Sequence, residues 1–430
     1  MKTAVINGLI ITVNKDNEII KNGSIIFEEG TIQYIGENPS DTSSIDQVID
    51  AKGNIIIPGL INTHGHSPMS LLRGYGDDLP LERWLKEKMW PIEGRFKEED
   101  IRLGAQLAII EMLKTGTTTY SDFYIYMDII AEVVKESGIR ANLSRGIIGS
   151  DSKEENKKKL DEATTFAKNW MGKAEGRITT MLSPHSTYTC STELISDIVE
   201  TAKEMKIPVQ THAAETKFEV EQLKKRFGVS PVVYLNNLGF FDNQSLIAHA
   251  VFVDNEDLMI LKDKKVRISH NPGSNLKLGS GIAPVPNMLN NGLIVALGTD
   301  GAASNNNLDM FEEVRLASLI QKGFLNNTAL IPARTALRMG TINGSEALFI
   351  SHLTGSLETG KKADFIILNT NQVHFHPLYD AVSHIVYSAS GHDVKDVFIN
   401  GKQVVMNRQV LTLDEERIIH QVEQLVKKWI

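Results

Sequence analysis

The sequence predicts an α/β protein: a (β/α)8 TIM-like barrel with a small β-sandwich domain formed by the N- and C-terminal segments. Three observations predict it. Short apolar runs ending in small or polar residues recur between residues 60 and 300, stretches with helical spacing separate them, and both ends of the chain are rich in β-branched runs.

Residues 1 to about 57 contain "AVINGLIITV", "GSIIFEEGTIQYIG" and "VIDAKGNIIIPG", short runs punctuated by Gly and Asn that read as strands. The first barrel run is "GLINTHGH". It is followed by "GTTTYSDF", "IRANLSRG", "RITTMLSPHS", "IPVQTHAAE", "SLIAHAVFV", "VRISHNPGSN" and "IVALGTDGAAS", making eight. Between runs, "EEDIRLGAQLAIIEMLKTG", "STELISDIVETAKEMK" and "VEQLKKRFG" repeat apolar positions at intervals of three and four, the period of a helix with one buried face. Strands alternating with helices imply parallel βαβ units, and eight such units a closed barrel. Past residue 354, "GSLETGKKADFIILNT" and "VKDVFINGKQVVMNRQV" return to strand character, and "DEERIIHQVEQLVKKWI" is an amphipathic helix. Residues 58–353 are therefore expected to form the barrel, and residues 1–57 with 354–430 the small β-rich domain.

Composition narrows the partners. At 430 residues, 42% hydrophobic and 23% charged, the chain has no apolar run of the length that spans a bilayer. The N-terminal apolar stretch is interrupted by Asn7, Gly8 and Asn14, so it reads as folded protein and not as a leader. A net charge of −8 disfavours nucleic acid and anionic membranes, leaving a small-molecule substrate as the expected partner, with self-association into a homo-oligomer open. The single cysteine, Cys190, rules out an intrachain disulfide, reads as a small buried residue, and fits a cytoplasmic setting.

Metal-type and acidic residues gather where these runs end, which in a (β/α)8 barrel is the face that carries the active site. His64 and His66 close the first run, His185 follows the fourth, His212 and Glu215 close the fifth, His249 and His270 lie in the sixth and seventh, and Asp300 is in the eighth. Residues i and i+2 of a strand share a face, so His64 and His66 can grip one ion. The spacing alone is weak, and the chain supplies its own control in "VHFHPLYD": His374 and His376 have the same spacing without matching company and read as structural. Company is what distinguishes the first pair. His212 and Asp300 fall at gaps suited to strands five and eight, and three imidazoles with one carboxylate, leaving a position for water, suit a catalytic Zn2+ or Fe2+.

The motifs "PGLINTHGH", "QTHAAET", "IAHAVFV", "SHNPGSNLKLGSGIAPV" and "LGTDGAASNNNLDM" resemble the amidohydrolase superfamily, and within it the 5-methylthioadenosine/S-adenosylhomocysteine deaminase family. The likeness extends over nearly the whole chain, including "GSLETGKKADFIIL" and "VFINGK". It implies one divalent metal, zinc before iron(II), held by His64, His66, His212 and Asp300. Deaminating a ring carbon also needs a proton for the ring nitrogen and for the departing ammonia. Glu215, three residues past His212, is placed to shuttle that proton and to touch the substrate. His249 resembles the family's histidine that hydrogen-bonds the attacking hydroxide, and Asp300 would accept the proton released during attack and meet the substrate as well. The resemblance further assigns Glu93 to the ribose hydroxyls, Arg145 to the homocysteine carboxylate, and His185 to substrate binding. Trp84 and His270 are left without a role.

The expected activity is metal-dependent hydrolytic deamination of the adenine of S-adenosylhomocysteine, methylthioadenosine or adenosine. The alternative is a deaminase or chlorohydrolase of another ring, such as guanine, cytosine, an oxidised purine or a triazine. A non-catalytic scaffold is disfavoured, because all four ligand positions, Glu215 and His249 are present.

Overall fold

The computed structural model describes residues 1–429; Ile430, the last residue expected in the small domain, lies outside them. Both ends of the chain build one sheet. The N-terminal segment supplies β1 (Lys2–Ile11), β2 (Ile19–Glu28), β3 (Thr31–Glu37), β4 (Gln47–Asp50) and β5 (Ile55–Pro58). The barrel region supplies β6 (Leu60–Asn62), β7 (Thr117–Tyr124), β8 (Arg140–Ile147), β9 (Ile178–Thr180), β10 (Ser183–Pro184), β11 (Val209–Ala213), β12 (Ser245–His249), β13 (Arg267–His270) and β14 (Ile294–Leu297). The C-terminal segment adds β15 (Phe365–Leu368), β16 (Val394–Ile399), β17 (Lys402–Met406) and β18 (Gln409–Val410).

The end sheet has the order β18-β17-β16-β15-β5-β1-β2-β3, with β4 beside β1. Its seam is the antiparallel pair β5–β15, which sets Ile56 opposite Ile367 and Pro58 opposite Phe365. All four residues of β5 are buried, as a strand covered on both faces requires. Phe27, Phe365 and Phe398 fill the core of this sheet, the last two stacked at 4.5 Å between ring centroids. Between β5 and β6 the chain passes through Gly59, where a Cβ would lie 2.0 Å from Thr118 Oγ1, so no side chain fits where the end sheet hands over to the barrel region.

Each of the eight predicted runs contains a strand, with the fourth divided between β9 and β10. Hydrogen bonds group them into two parallel sheets, β6-β7-β8 with β9 and β10 beside β8, and β11-β12-β13-β14. Parallel pairing puts every carboxyl end on one side. Further bonds run between the sheets: Gln210 N–H donates to Leu182 O (3.0 Å), Thr63 N–H to Leu297 O (2.9 Å) and Asp300 N–H to His64 O (2.9 Å).

A buried ion pair ties the barrel region to the end sheet. Arg140, on β8, donates from Nε to Asp364 Oδ2 (2.8 Å) and from Nη2 to Oδ1 (3.1 Å), while Asn400 N–H donates to the same carboxylate at 2.6 Å. Both side chains are almost fully enclosed. Truncating one partner would strand the other's charge in the core, so Arg140→Ala is expected to cost about 3–5 kcal/mol in equilibrium urea denaturation. An unmoved midpoint would show that the pair holds nothing together.

Candidate active site

The carboxyl ends of β6, β11, β12 and β14 deliver the predicted residues to one place. His64 and His66 follow β6 and are not part of it, so the shared face of a strand is not what brings them together. The strand ends at Asn62, whose Oδ1 accepts from His64 N–H (3.3 Å) and Thr299 N–H (3.0 Å), and the turn so fixed sets the two rings 4.9 Å apart. The eighth run approaches closely at Gly298, where a Cβ would sit 2.8 Å from His64 N and 2.7 Å from Asn271 Oδ1. His249 and Asp300 hold positive φ, 74° and 62°, conformations that non-glycine residues seldom adopt and that concentrate at functional sites.

One atom of each of His64, His66 and His212 lies within 4.8 Å of the others, and the same holds for His64, His249 and Asp300. Asp300 Oδ1 is 3.6 Å from His64 Nε2 and 3.3 Å from His66 Nε2. The remaining ring nitrogens are fixed from behind: His66 Nδ1 donates to Phe123 O (2.6 Å) and His212 Nδ1 to His185 O (2.7 Å). These bonds select the tautomer whose Nε2 lone pair is free for a metal. Asp300 is oriented in turn, accepting from Ser274 Oγ (2.7 Å) and from Gly301 N–H (2.7 Å). His64 Nε2 is buried without a hydrogen-bond partner, a cost that a bound cation would remove. Burial would raise the Asp300 carboxyl, but the neighbouring imidazoles of His66, His64 and His249 hold it well below the usual carboxylate range. Burial holds His64 and His212 well below the ordinary histidine value, whereas His66, against the same burial, is raised to about 9 by the Asp300 carboxylate 3.3 Å away. A divalent transition metal requires an ionised carboxylate and unprotonated imidazoles; Asp300, His64 and His212 stand ready in those forms, and His66 would give up its proton as the ion binds, so the residues fit it.

Glu215 and His249 stand beside this cluster, with His249 Nε2 3.8 Å from Glu215 Oε2. On the far side of the ring, His249 Nδ1 donates to Asn275 Oδ1 (2.8 Å), which keeps Nε2 toward the site. Burial, reinforced by the negative charges of Asp300, Glu219 and Glu82, pushes the Glu215 carboxyl well above its ordinary value. A carboxyl raised in this way keeps its proton above the usual carboxylate range and can donate it.

A cavity of about 270 Å³ opens over the cluster, bordered by His66, His212, Glu215, His249 and Asp300. Its remaining walls are mainly apolar, among them Trp84, Trp90, Phe123, Ile148 and Leu278. Glu93 borders it too and accepts a hydrogen bond from Tyr124 Oη, which the sequence reading did not anticipate. Burial raises the Glu93 carboxyl. His185 lines the cavity with its Nδ1 3.0 Å from Thr189 Oγ1, and burial lowers it to about 3, so it is neutral.

Arg145 is not brought into this cavity. Along β8, Asn142 and Ser144 bond inward to Thr179 and Gln210, and Gly146 borders the cavity. The odd positions face the other way. Arg145 accordingly lies in a neighbouring surface groove, paired with Glu162 of the helix Lys153–Trp170. His270 is buried without lining the cavity, its Nδ1 unpartnered. Among the described residues His374 and His376 join no group of metal-type ligands; both are exposed, and His374 Nε2 lies 3.0 Å from Asp393 Oδ1. Cys190 is buried, with its Sγ donating to Ile147 O (3.1 Å).

Residues 55–404 match the profile of the amidohydrolase family. The chain belongs to the amidohydrolase family. Among similar proteins, a 5-methylthioadenosine/S-adenosylhomocysteine deaminase of Halalkalibacterium halodurans is 47% identical over 423 residues, covering 97% of this chain and 96% of its own. A 5'-deoxyadenosine deaminase of Methanosarcina acetivorans is 44% identical, covering 99% and 97%. The crystal structure of an adenosine deaminase from Xanthomonas campestris with bound zinc superposes with a TM-score of 0.93 at 30% identity, covering 99% of this chain and 98% of the other. This mixed α/β amidohydrolase fold is thus shared over its full length with a zinc-containing deaminase. No helix among the described residues is long and apolar enough to cross a membrane.

Proposed function

We propose that this protein hydrolytically deaminates the adenine ring of adenosine derivatives, S-adenosylhomocysteine, methylthioadenosine, 5'-deoxyadenosine or adenosine, releasing ammonia and the inosyl product. The observation that carries this reading is the convergence of His64, His66, His212 and Asp300 beside Glu215, whose carboxyl is raised by burial, at a largely apolar cavity that also presents Glu93. The full-length relatives named as deaminases of such nucleosides support it.

His64, His66, His212 and Asp300 would hold one divalent ion, zinc in the first instance and iron(II) as the alternative. When bound, such an ion lowers the pKa of water from about 15.7 toward 7, supplying hydroxide near neutrality. Glu215 gives its one proton to the ring nitrogen, and the proton that Asp300 takes up passes on to the amino group, which leaves as ammonia. Asp300, ionised, takes the proton released as the ring carbon is attacked, and His249, steadied by Asn275, hydrogen-bonds the oxygen added at that carbon. Glu93 accepts from the ribose hydroxyls with its paired oxygens, a task that suits a carboxylate. His185 contributes a neutral imidazole to the cavity wall. Arg145, paired with Glu162 in the neighbouring groove, stands outside the cavity, so a substrate carboxylate would have to extend beyond the cavity walls to meet it.

The two parallel sheets are read as one closed (β/α)8 barrel over residues 58–353, a reading supported by the bonds from Gln210 to Leu182 and from Thr63 to Leu297. Residues 1–57 and 354–430 are read as the small β-sandwich domain, supported by the shared Phe27–Phe365–Phe398 core. A cytoplasmic enzyme is consistent with the lone buried cysteine.

The deciding assay measures ammonia release across adenosine, methylthioadenosine, S-adenosylhomocysteine, guanine and cytosine, with zinc and with iron. Turnover of a free base in preference to every nucleoside would overturn the reading. Glu93→Ala is expected to weaken kcat/KM for adenosine by about tenfold or more, the scale of one lost charged hydrogen bond, and to spare free adenine. Equal losses for nucleoside and base would remove Glu93 from the ribose.

A further inference from the structure

We infer that Glu219 is a positioning residue for this reaction: its carboxylate holds Glu215 and the Thr187 loop in one fixed relation. The inference rests on the proton role proposed for Glu215. In the sequence, "TKFE" at residues 216–219 has the form of a capping box, where the Glu would turn back to the N–H of the capping Thr. Only half of that box forms. Thr216 Oγ1 accepts from Glu219 N–H (3.2 Å) at the start of the helix Lys217–Phe227, as a cap should. The Glu219 carboxylate goes elsewhere: Oε2 accepts from Glu215 N–H at 2.9 Å, and Oε1 accepts from Thr187 Oγ1 at 2.6 Å.

Glu219 is 1% exposed, an expensive place for a carboxylate that a helix terminus alone does not call for. What it braces is a strained turn. Ala214, between His212 and Glu215, has φ 53°, a left-handed conformation that surroundings must impose on a residue with a side chain. Ala214 O is held by Val251 N–H and Phe252 N–H, both at 2.9 Å, so the turn is fastened to the segment after β12 on one side. Glu219 fastens it on the other. Thr187 lies between His185 and Tyr188, both of which border the cavity, so one carboxylate ties Glu215 to the adjoining stretch of wall.

The test compares Glu219→Ala and Glu219→Gln with the unaltered enzyme, measuring kcat and KM for methylthioadenosine together with metal content. Glu219→Ala is expected to lose about 100-fold in kcat with KM nearly unchanged and metal retained, the cost of misplacing a reacting group by about an ångström. Glu219→Gln is expected to recover most of that loss, because its amide oxygen can accept from Glu215 N–H while its NH2 donates to the Thr187 hydroxyl. Unchanged kcat in Glu219→Ala, a loss in step with metal content, or a glutamine variant as poor as alanine would each overturn the inference. Should Glu219→Ala fail to fold, Thr187→Val decides: a fall in kcat at constant KM supports it, and unchanged kcat overturns it. An unaltered enzyme inactive on every adenosine derivative would instead bring down the proposed reaction and this inference with it.

Discussion

His66→Ala is expected to lose bound metal and deaminase activity together, while His376→Ala retains both. The two histidines share the same His-x-His spacing, so the contrast isolates position from motif. His66 lies against Asp300, with its Nδ1 fixed by Phe123 O and its Nε2 3.3 Å from Asp300 Oδ1. Removing an outer partner of a metal site costs 10–100-fold in affinity, and removing a ligand should cost more than about 100-fold. His376 is exposed and borders a polar groove beside Lys395 and Arg408, away from the cluster. Elemental analysis of protein purified without chelator, read beside ammonia release, checks both variants. Equal effects on the two would overturn the assignment of the first pair.

Glu215→Gln should separate what His66→Ala joins. The amide keeps the shape of the side chain and its place 3.8 Å from His249, but it cannot supply a proton, so kcat is expected to fall by about 10²–10⁴-fold, the usual contribution of general acid–base catalysis. Metal content should stay at the level of the parent, since Glu215 belongs to neither group of clustered ligand atoms. The variant should also flatten the pH profile on its alkaline side. Burial and the surrounding carboxylates raise Glu215, so its protonated form persists above the usual carboxylate range and is lost as pH rises through the raised value. A glutamine variant that keeps its rate, or one that loses its metal, would move the proton shuttle to another residue.

Several features of this site were legible because they are local. A strand's carboxyl end is marked in the sequence by the switch from apolar to polar residues, and His212, His249 and Asp300 stand at those switches. Others needed the fold. The expectation that His64 and His66 project from a strand does not hold, since β6 stops at Asn62 and a side-chain cap shapes the turn that sets their rings side by side. Arg145 could have been read from its neighbours: alternation along "NLSRG" puts Ser144 and Gly146 on the cavity side and Arg145 on the helix side, where Glu162 meets it. Tyr124 over Glu93 and Thr187 on Glu219 left no such trace.

The amino-acid sequence by itself determined the order of strands and helices and the chemical types of residue that close each run, because periodicity and strand-end polarity are properties of a few consecutive residues. The tertiary structure alone decided which of those residues meet. His64 and Asp300 lie at opposite ends of the barrel region and become neighbours when Asp300 N–H bonds His64 O, and the pairing of Arg140 with Asp364 locks the end sheet to β8. Contacts of that kind depend on how distant segments close on one another and on which donors a buried carboxylate can reach, and no local pattern in the chain records either.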